Sequence, residues 1–166
     1  MSSAAIMDAI VSEIKRVLSE GKEVLVSEVT PQRAEEVNRL LGEAMSAGWT
    51  EGLRSWLATA ETDAETIEVN GVTYRYKLAS EKEFLTPGGT LKLVRRVYQP
   101  DVGGKCHVPL DAAWGMEGQF ATVEVRDASL YAIALGTPQE AETLLGKCAL
   151  FQPSATAIKR MAKQMG

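Results

Sequence analysis

The sequence contains few of the residues that most often build metal centres and disulfide frameworks. Among its 166 residues there are two cysteines, Cys106 and Cys148, and a single histidine, His107. A structural zinc site normally takes four Cys or His ligands, and a disulfide-stabilised domain needs more cysteine than this. We therefore expect no metal ion, no other cofactor and no disulfide framework.

Long apolar runs are also absent. No uninterrupted stretch approaches the ~18 apolar residues that a membrane-spanning helix requires. The first twenty residues include Asp8, Glu13 and Glu20, which is unlike the apolar core of a signal peptide. These absences predict a cytoplasmic protein with no membrane partner.

Motifs for catalysis are missing as well. Cys106 and His107 are adjacent on a loop bounded by glycine and proline, where neighbouring side chains rarely face each other as a catalytic pair must. No glycine-rich loop has the Lys-Ser/Thr ending of a phosphate-binding motif. The carboxylates of Asp101, Asp111 and Asp127 could meet as a metal-dependent hydrolase or nuclease site, but their spacing gives no support for it. We expect no enzymatic activity.

Charge is distributed unevenly along the chain. Residues 1–70 contain six Lys and Arg against thirteen Asp and Glu, a net charge of −7, whereas residues 71–166 contain twelve against nine, a net charge of +3. A total of −4 spread evenly would argue against a nucleic-acid partner. The asymmetry instead indicates an acidic segment joined to a more basic working surface. The alternative is that the acidic helices are simply a solvated face.

Apolar periodicity and capping signals predict helices in the N-terminal part. A first amphipathic helix covers residues 3–20. Thr30 and Pro31 form a strong start signal for a second helix, which is expected to end at Gly48. A separate third helix follows over residues 49–59, and Trp49 and Trp56 are interpreted as core residues, with a stacking surface as the alternative.

After residue 65 the apolar period changes from helical to alternating. Asn70-Gly71 lies between two β-rich runs and is a strong hairpin signal, because both residues tolerate positive φ. A second pair of strands, Lys82–Thr86 and Thr90–Tyr98, is joined through Pro87-Gly88-Gly89. The pattern predicts an antiparallel meander of three or four strands.

The C-terminal part is predicted to be helical again. Length favours a helix within Gln119–Leu135, and Thr137-Pro138 starts a second one that ends at Gly146. Pro153-Ser154 precedes a third, amphipathic helix. Two short helices whose second member begins with small polar residues and has a basic stripe are typical of a helix-turn-helix unit.

The predicted fold class is therefore α+β, with N-terminal helices, a small antiparallel β-meander and a helix-turn-helix-like C-terminal segment. We divide the chain into an acidic helical segment (1–65), the meander and a loop (66–112), and the helical segment (113–166), packed as one compact unit.

The last helix supplies most of the candidate nucleic-acid-binding residues. Small residues at its start would let it approach the floor of a groove, and its basic side chains would neutralise phosphates. Two arginines of the meander add to the set if their side chains face outward. The candidates are Ser154, Thr156, Lys159, Arg160, Lys163, Arg95 and Arg96.

The acidic helices give an alternative function. An anionic surface can occupy the basic groove of another protein, so the chain could be an inhibitor or interaction module directed at a protein of a nucleic-acid-processing complex. The candidate protein-binding residues are Glu35, Glu36 and Glu43. An exposed apolar helix face could also support a homodimer.

Four short motifs follow one another in the last hundred or so residues. They are Phe84-Leu85-Thr86-Pro87-Gly88-Gly89, Arg95-Arg96-Val97-Tyr98, Val108-Pro109-Leu110-Asp111 and Thr137-Pro138-Gln139-Glu140-Ala141-Glu142. In this order they resemble the N-terminal region of ISKra-type insertion-sequence transposases. The resemblance implies a strand pair, a loop and a helix-turn-helix-like segment that recognise duplex DNA at transposon ends.

Two departures from that family limit what the resemblance implies. Many relatives have paired cysteines after the second motif, where this chain has Gln99-Pro100-Asp101, so no zinc site is expected. The acidic catalytic residues of the family lie in an RNase H-like domain after the helix-turn-helix, for which this sequence leaves no room. The resemblance therefore implies a non-catalytic, transposase-derived DNA-binding protein, either a recognition or a regulatory fragment.

Overall fold

A computed structural model describes residues 2–165 of the chain. Within this range it has seven α-helices and one antiparallel sheet, which confirms the predicted α+β class. The helices are α1 (Ser3–Glu20), α2 (Lys22–Leu25), α3 (Pro31–Leu57), α4 (Pro109–Ala113), α5 (Val123–Ala134), α6 (Pro138–Cys148) and α7 (Ala155–Met165). The strands are β1 (Thr66–Val69), β2 (Val72–Thr86) and β3 (Gly89–Pro100), paired in the order β1-β2-β3.

Helix starts agree with the capping signals. The Thr30 hydroxyl accepts a hydrogen bond from the Arg33 amide at 3.2 Å, with Pro31 in the first turn of α3. Thr137 and Glu140 form a reciprocal capping box at the start of α6. In each case a side-chain oxygen satisfies a backbone N–H that has no partner within the helix.

The predicted end of a helix at Gly48 is wrong, because α3 continues through it to Leu57. A Cβ atom on Gly48 would lie 2.6 Å from Cγ1 of Ile14, and one on Gly52 would lie 2.8 Å from Cδ1 of Ile10. These glycines therefore allow α1 to pack closely against α3. Glycine costs about 1 kcal/mol relative to alanine inside a helix, and the close packing offsets that cost.

The sheet is a three-stranded meander. Asn70 and Gly71 have φ of 52° and 76°, so the predicted hairpin turn is confirmed between β1 and β2. The region from Val72 to Thr86 is one strand of fifteen residues, with a register shift between Tyr76 and Leu78. The predicted pairing around Pro87-Gly88 is confirmed at the end of β2 and the start of β3.

Two apolar clusters form the core. One lies between the end of α3, the β2–β3 hairpin and α4; its buried members are Leu57, Phe84, Leu91, Leu93, Leu110 and Met116. The other holds α5, α6 and α7 together; its buried members are Ala121, Val125, Ala132, Ala141, Leu145, Ile158 and Met161. The Leu85 amide donates to the Phe120 carbonyl and the Thr122 amide donates to the Leu85 carbonyl, and these two bonds attach the sheet to the second cluster.

The two tryptophans of α3 do not belong to this core, so their interpretation as core residues is wrong. The exposed fraction of Trp49 is 52% and that of Trp56 is 55%. Small residues, rather than the tryptophans, occupy the face of α3 that meets α1, and Leu57 fills the contact with the sheet. Within residues 2–165, none of the helices has the combination of length and hydrophobicity needed to cross a membrane.

Candidate nucleic-acid interface

The C-terminal helices form a three-helix unit. Helices α5, α6 and α7 all contact one another around the side chains of Val125, Leu145, Ile158 and Met161. A connection of six residues, 149–154, joins α6 to α7. Because Ile158 and Met161 are completely buried, the orientation of α7 is fixed and its opposite side faces outward.

The outward side of α7 is basic. Thr156, Lys159, Arg160 and Lys163 follow helical spacing and are all exposed. The helix contains no acidic residue. Among residues 2–165, neither Lys159 nor Lys163 takes part in an ion pair. Their ammonium groups are therefore available to an external anion.

Arg160 is held in a defined position. Its Cζ atom lies 4.3 Å from the centroid of the Phe120 ring, in a cation–π contact. Phe120 is in the segment that leads into α5 and packs against the helical core cluster. The guanidinium is thus partly oriented before any ligand binds, which lowers the entropy cost of using it.

The first turn of α7 is capped from within the protein. The Ser154 hydroxyl accepts a hydrogen bond from the Ala157 amide at 3.2 Å, and Oε2 of Glu142 accepts one from the Ala155 amide at 3.0 Å. A carboxylate thus occupies the position where a phosphate could bind a helix N-terminus. Ser154 therefore has a structural role as a cap.

Sequence reasoning missed the contribution of Glu142. This residue is on α6, thirteen positions before the amide that it binds, and it ties the start of α7 to α6. The capping patterns that sequence analysis uses involve residues three apart. No local pattern marks a cap of this kind.

Arg95 does not face outward, so it fails the condition on which its predicted DNA contact depended. It occupies an inward position of β3, in alternation with the buried Leu91 and Leu93, and its exposed fraction is 6%. Its Nη1 atom lies 2.7 Å from Oδ2 of Asp111. Lys82 approaches the same carboxylate oxygen at 3.3 Å. The guanidinium of Arg95 therefore forms an ion pair within the protein and does not face solvent.

Arg96 is half-buried and is also engaged within the protein. Its Cζ atom lies 4.1 Å from the centroid of the Tyr76 ring. Nη1 donates to the Thr62 carbonyl at 3.4 Å, and Nη2 lies 3.7 Å from a carboxylate oxygen of Glu65. Among the predicted basic residues, Lys159, Arg160 and Lys163 of α7 are the exposed ones.

The acidic N-terminal helices contain their own counter-ions. Glu36 pairs with Arg33 at 2.5 Å and Glu43 pairs with Arg39 at 2.6 Å, while Glu35 is exposed without an ion pair in the described part of the chain. Such exposed pairs neutralise part of the negative field, although each adds little stability. The negative charge that this surface could offer to a basic protein partner is therefore smaller than the number of glutamates indicates.

The three aspartates considered for a metal site are in separate environments. Asp101 pairs with Arg75 at 2.7 Å, Asp111 is buried beside Arg95, and Asp127 is exposed on α5. Over residues 2–165 there is no group of three or more His, Cys, Asp and Glu side chains arranged to hold a metal ion.

Comparisons of the chain with protein families, with curated proteins and with solved structures give no match.

Proposed function

We propose that this chain is a non-catalytic DNA-binding protein, the recognition or regulatory part of a transposase-like system, and that α7 is the helix that contacts duplex DNA. The observation that carries the proposal is the division of α7 into two faces. Ile158 and Met161 anchor one face, and the other presents Lys159, Arg160 and Lys163 with no acidic residue among them.

The dimensions of α7 suit a groove of duplex DNA. Eleven residues form a helix about 16 Å long, and the major groove of B-form DNA is about 12 Å wide, enough for one helix. The side chains of Lys159 and Lys163 are one turn apart and can reach phosphates on one flank. Thr156 is in the first turn of the same exposed face and is small enough to approach base edges.

The place of α7 in the chain supports the transposase-like assignment. A helix preceded by a second short helix, with a third helix in contact with both, is the arrangement in which helix-turn-helix proteins present a recognition helix. The order of the four sequence motifs supports the same assignment. This function belongs in the cytoplasm, where we expect the protein to act on DNA.

A binding measurement with charge-matched variants tests the proposal. The probe is a fluorescent mixed-sequence duplex, and the variant is Lys159→Ala/Lys163→Ala, since removal of Arg160 would also disturb its contact with Phe120. The control is Lys77→Ala/Lys105→Ala, which removes the same charge from exposed positions on β2 and a loop. We expect the α7 variant to bind about tenfold more weakly than the control at low salt. Equal affinities of the two variants, or absence of binding by the wild type, would overturn the proposal.

A further inference from the structure

We infer that the α1–α3 hairpin has a second binding surface, which takes another copy of this chain. The surface is one side of the hairpin, here called the apolar side. Its exposed residues are Met7 and Val11 of α1 and Leu41, Met45, Trp49 and Trp56 of α3. This inference does not depend on DNA binding, because no residue of α7 takes part in it.

The helical period places these side chains together. Met45, Trp49 and Trp56 lie four, eight and fifteen positions after Leu41, spacings that fall within one quadrant of a helix. Helix α1 packs against α3 through Ile10 and Ile14. Helix α1 runs antiparallel to α3, because Ile14 meets Gly48 and Ile10 meets Gly52. Met7 and Val11 come three positions before Ile10 and Ile14, and in an antiparallel pair of right-handed helices this places them on the side where the tryptophans lie.

A groove runs along the apolar side. Its volume is about 500 Å³. No charged residue lines it, since its lining residues are Ile10, Ile14, Met45, Gly48, Trp49, Gly52, Leu53 and Trp56. A groove of this composition offers no counter-charge to a charged ligand, and its favourable occupant is an apolar surface.

Two ion pairs of the hairpin lie outside the apolar side, since Glu51 and Arg54 are ten and thirteen positions after Leu41. Glu51 pairs with Arg54, and Glu13 pairs with Arg16 at 2.7 Å. The pKa of Glu13 is lowered, mainly by its hydrogen bond with Arg16 and also by the field of Arg54. The carboxylates of Glu13 and Glu51, each with its own arginine, therefore do not meet when two copies pair through their apolar sides.

The exposed area matches what a homodimer needs. Large aromatic side chains can each bury roughly 150–250 Å², so two half-exposed tryptophans with two methionines, a leucine and a valine leave on the order of 600 Å² of apolar surface open. A standard interface removes about 800 Å² from each partner, of which about 65% is apolar in homodimers, or roughly 520 Å². The apolar area exposed on one hairpin is therefore large enough for an interface with a second copy of the chain.

Sedimentation equilibrium of the full chain over a range of concentrations tests the inference. We expect a monomer–dimer equilibrium for the wild type and at least a tenfold larger dissociation constant for Met45→Glu, whose side chain is 62% exposed. The matched control is Tyr131→Glu, which puts the same charge at a 71% exposed position on α5, and it should dimerise as the wild type does. Circular dichroism establishes that both variants are folded.

Tryptophan emission gives an independent readout. Dilution should shift the emission of the wild type to longer wavelength as Trp49 and Trp56 return to water, and the same shift for Met45→Glu should occur at concentrations at least tenfold higher. A wild type that is monomeric at all concentrations would overturn the inference. So would a dimer that Met45→Glu and Tyr131→Glu weaken equally, or one that neither variant weakens.

Discussion

Arg95 and Asp111 form a buried ion pair, with Nη1 of the arginine 2.7 Å from Oδ2 of the aspartate. The arginine comes from β3 and the aspartate from the first turn of α4, so the pair fastens this short helix to the sheet. The RRVY and VPLD motifs of the sequence each supply one member. Their order in the chain therefore corresponds to a contact in the core rather than to a shared ligand site.

The first prediction concerns this pair. Asp111→Ala removes the counter-charge and leaves the Arg95 guanidinium buried, so we expect the free energy of unfolding to fall by about 3–5 kcal/mol. Urea unfolding followed by circular dichroism measures the change. The control is Asp101→Ala, which breaks the exposed pair with Arg75 and should cost less than about 1 kcal/mol. Similar losses in the free energy of unfolding for the two variants would contradict a larger contribution of the buried Arg95–Asp111 pair.

The second prediction concerns the close contact of α1 with α3. Alanine is a better helix former than glycine by about 1 kcal/mol, so Gly42→Ala, whose new methyl group would meet only Leu150 at 3.9 Å, should be neutral or stabilising. Gly48→Ala gains the same propensity but forces its methyl group into Ile14. We expect its free energy of unfolding to be about 1–3 kcal/mol below that of Gly42→Ala. Equal values from urea unfolding would contradict the close packing.

Parts of the fold that depend on nearby residues can be predicted from the sequence. Asn70-Gly71, Thr30 and Thr137 act through hydrogen bonds or φ values within a few residues, and the elements that they start or join are where the sequence predicts them. Gly48 carries a local signal for a helix end, whereas its close contact with Ile14 involves a residue 34 positions earlier in the chain. A local pattern is reliable when its physical cause is local as well.

The candidate site follows the same rule. The amphipathic period of α7 predicts which side chains lie opposite the buried face, and the structure places Lys159 and Lys163 there. The inward position of Arg95 depends on the register of β3 against the core, and the cap from Glu142 depends on how α6 meets α7. Neither relationship can be predicted from the spacing of neighbouring residues.

The third prediction uses the capping box of α6. Hydrogen bonds from the backbone and side chain of Thr137 lower the pKa of Glu140 below its ordinary value of 4.5. A carboxyl group with a lowered pKa in the folded state stabilises the fold above its unfolded pKa, and the contribution is lost as the pH falls through the lowered pKa. Wild type should therefore melt at a higher temperature than Glu140→Gln near neutral pH, and the difference should vanish in acid. A difference that persists unchanged in acid would contradict the role of the charge.

The fourth prediction tests whether Glu142 positions α7. Removing a negative charge near a DNA-binding helix should by itself strengthen binding. If the bond from Glu142 to the Ala155 amide holds α7 in place, Glu142→Ala should instead weaken binding to a mixed-sequence duplex by several-fold. The control is Glu124→Ala, which removes a charge from an exposed position on α5. Stronger binding by Glu142→Ala would show that its charge matters and its positioning does not.

The salt dependence of DNA affinity tests the central claim most directly. Each phosphate contact releases counter-ions and contributes about 0.9 to the slope of log affinity against log salt, so loss of two contacts should reduce the slope by about 1.8 between roughly 50 and 200 mM salt. We predict this reduction for Lys159→Ala/Lys163→Ala and an unchanged slope for Lys77→Ala/Lys105→Ala. The same slope for the wild type and both variants would contradict the account that α7 holds the phosphates.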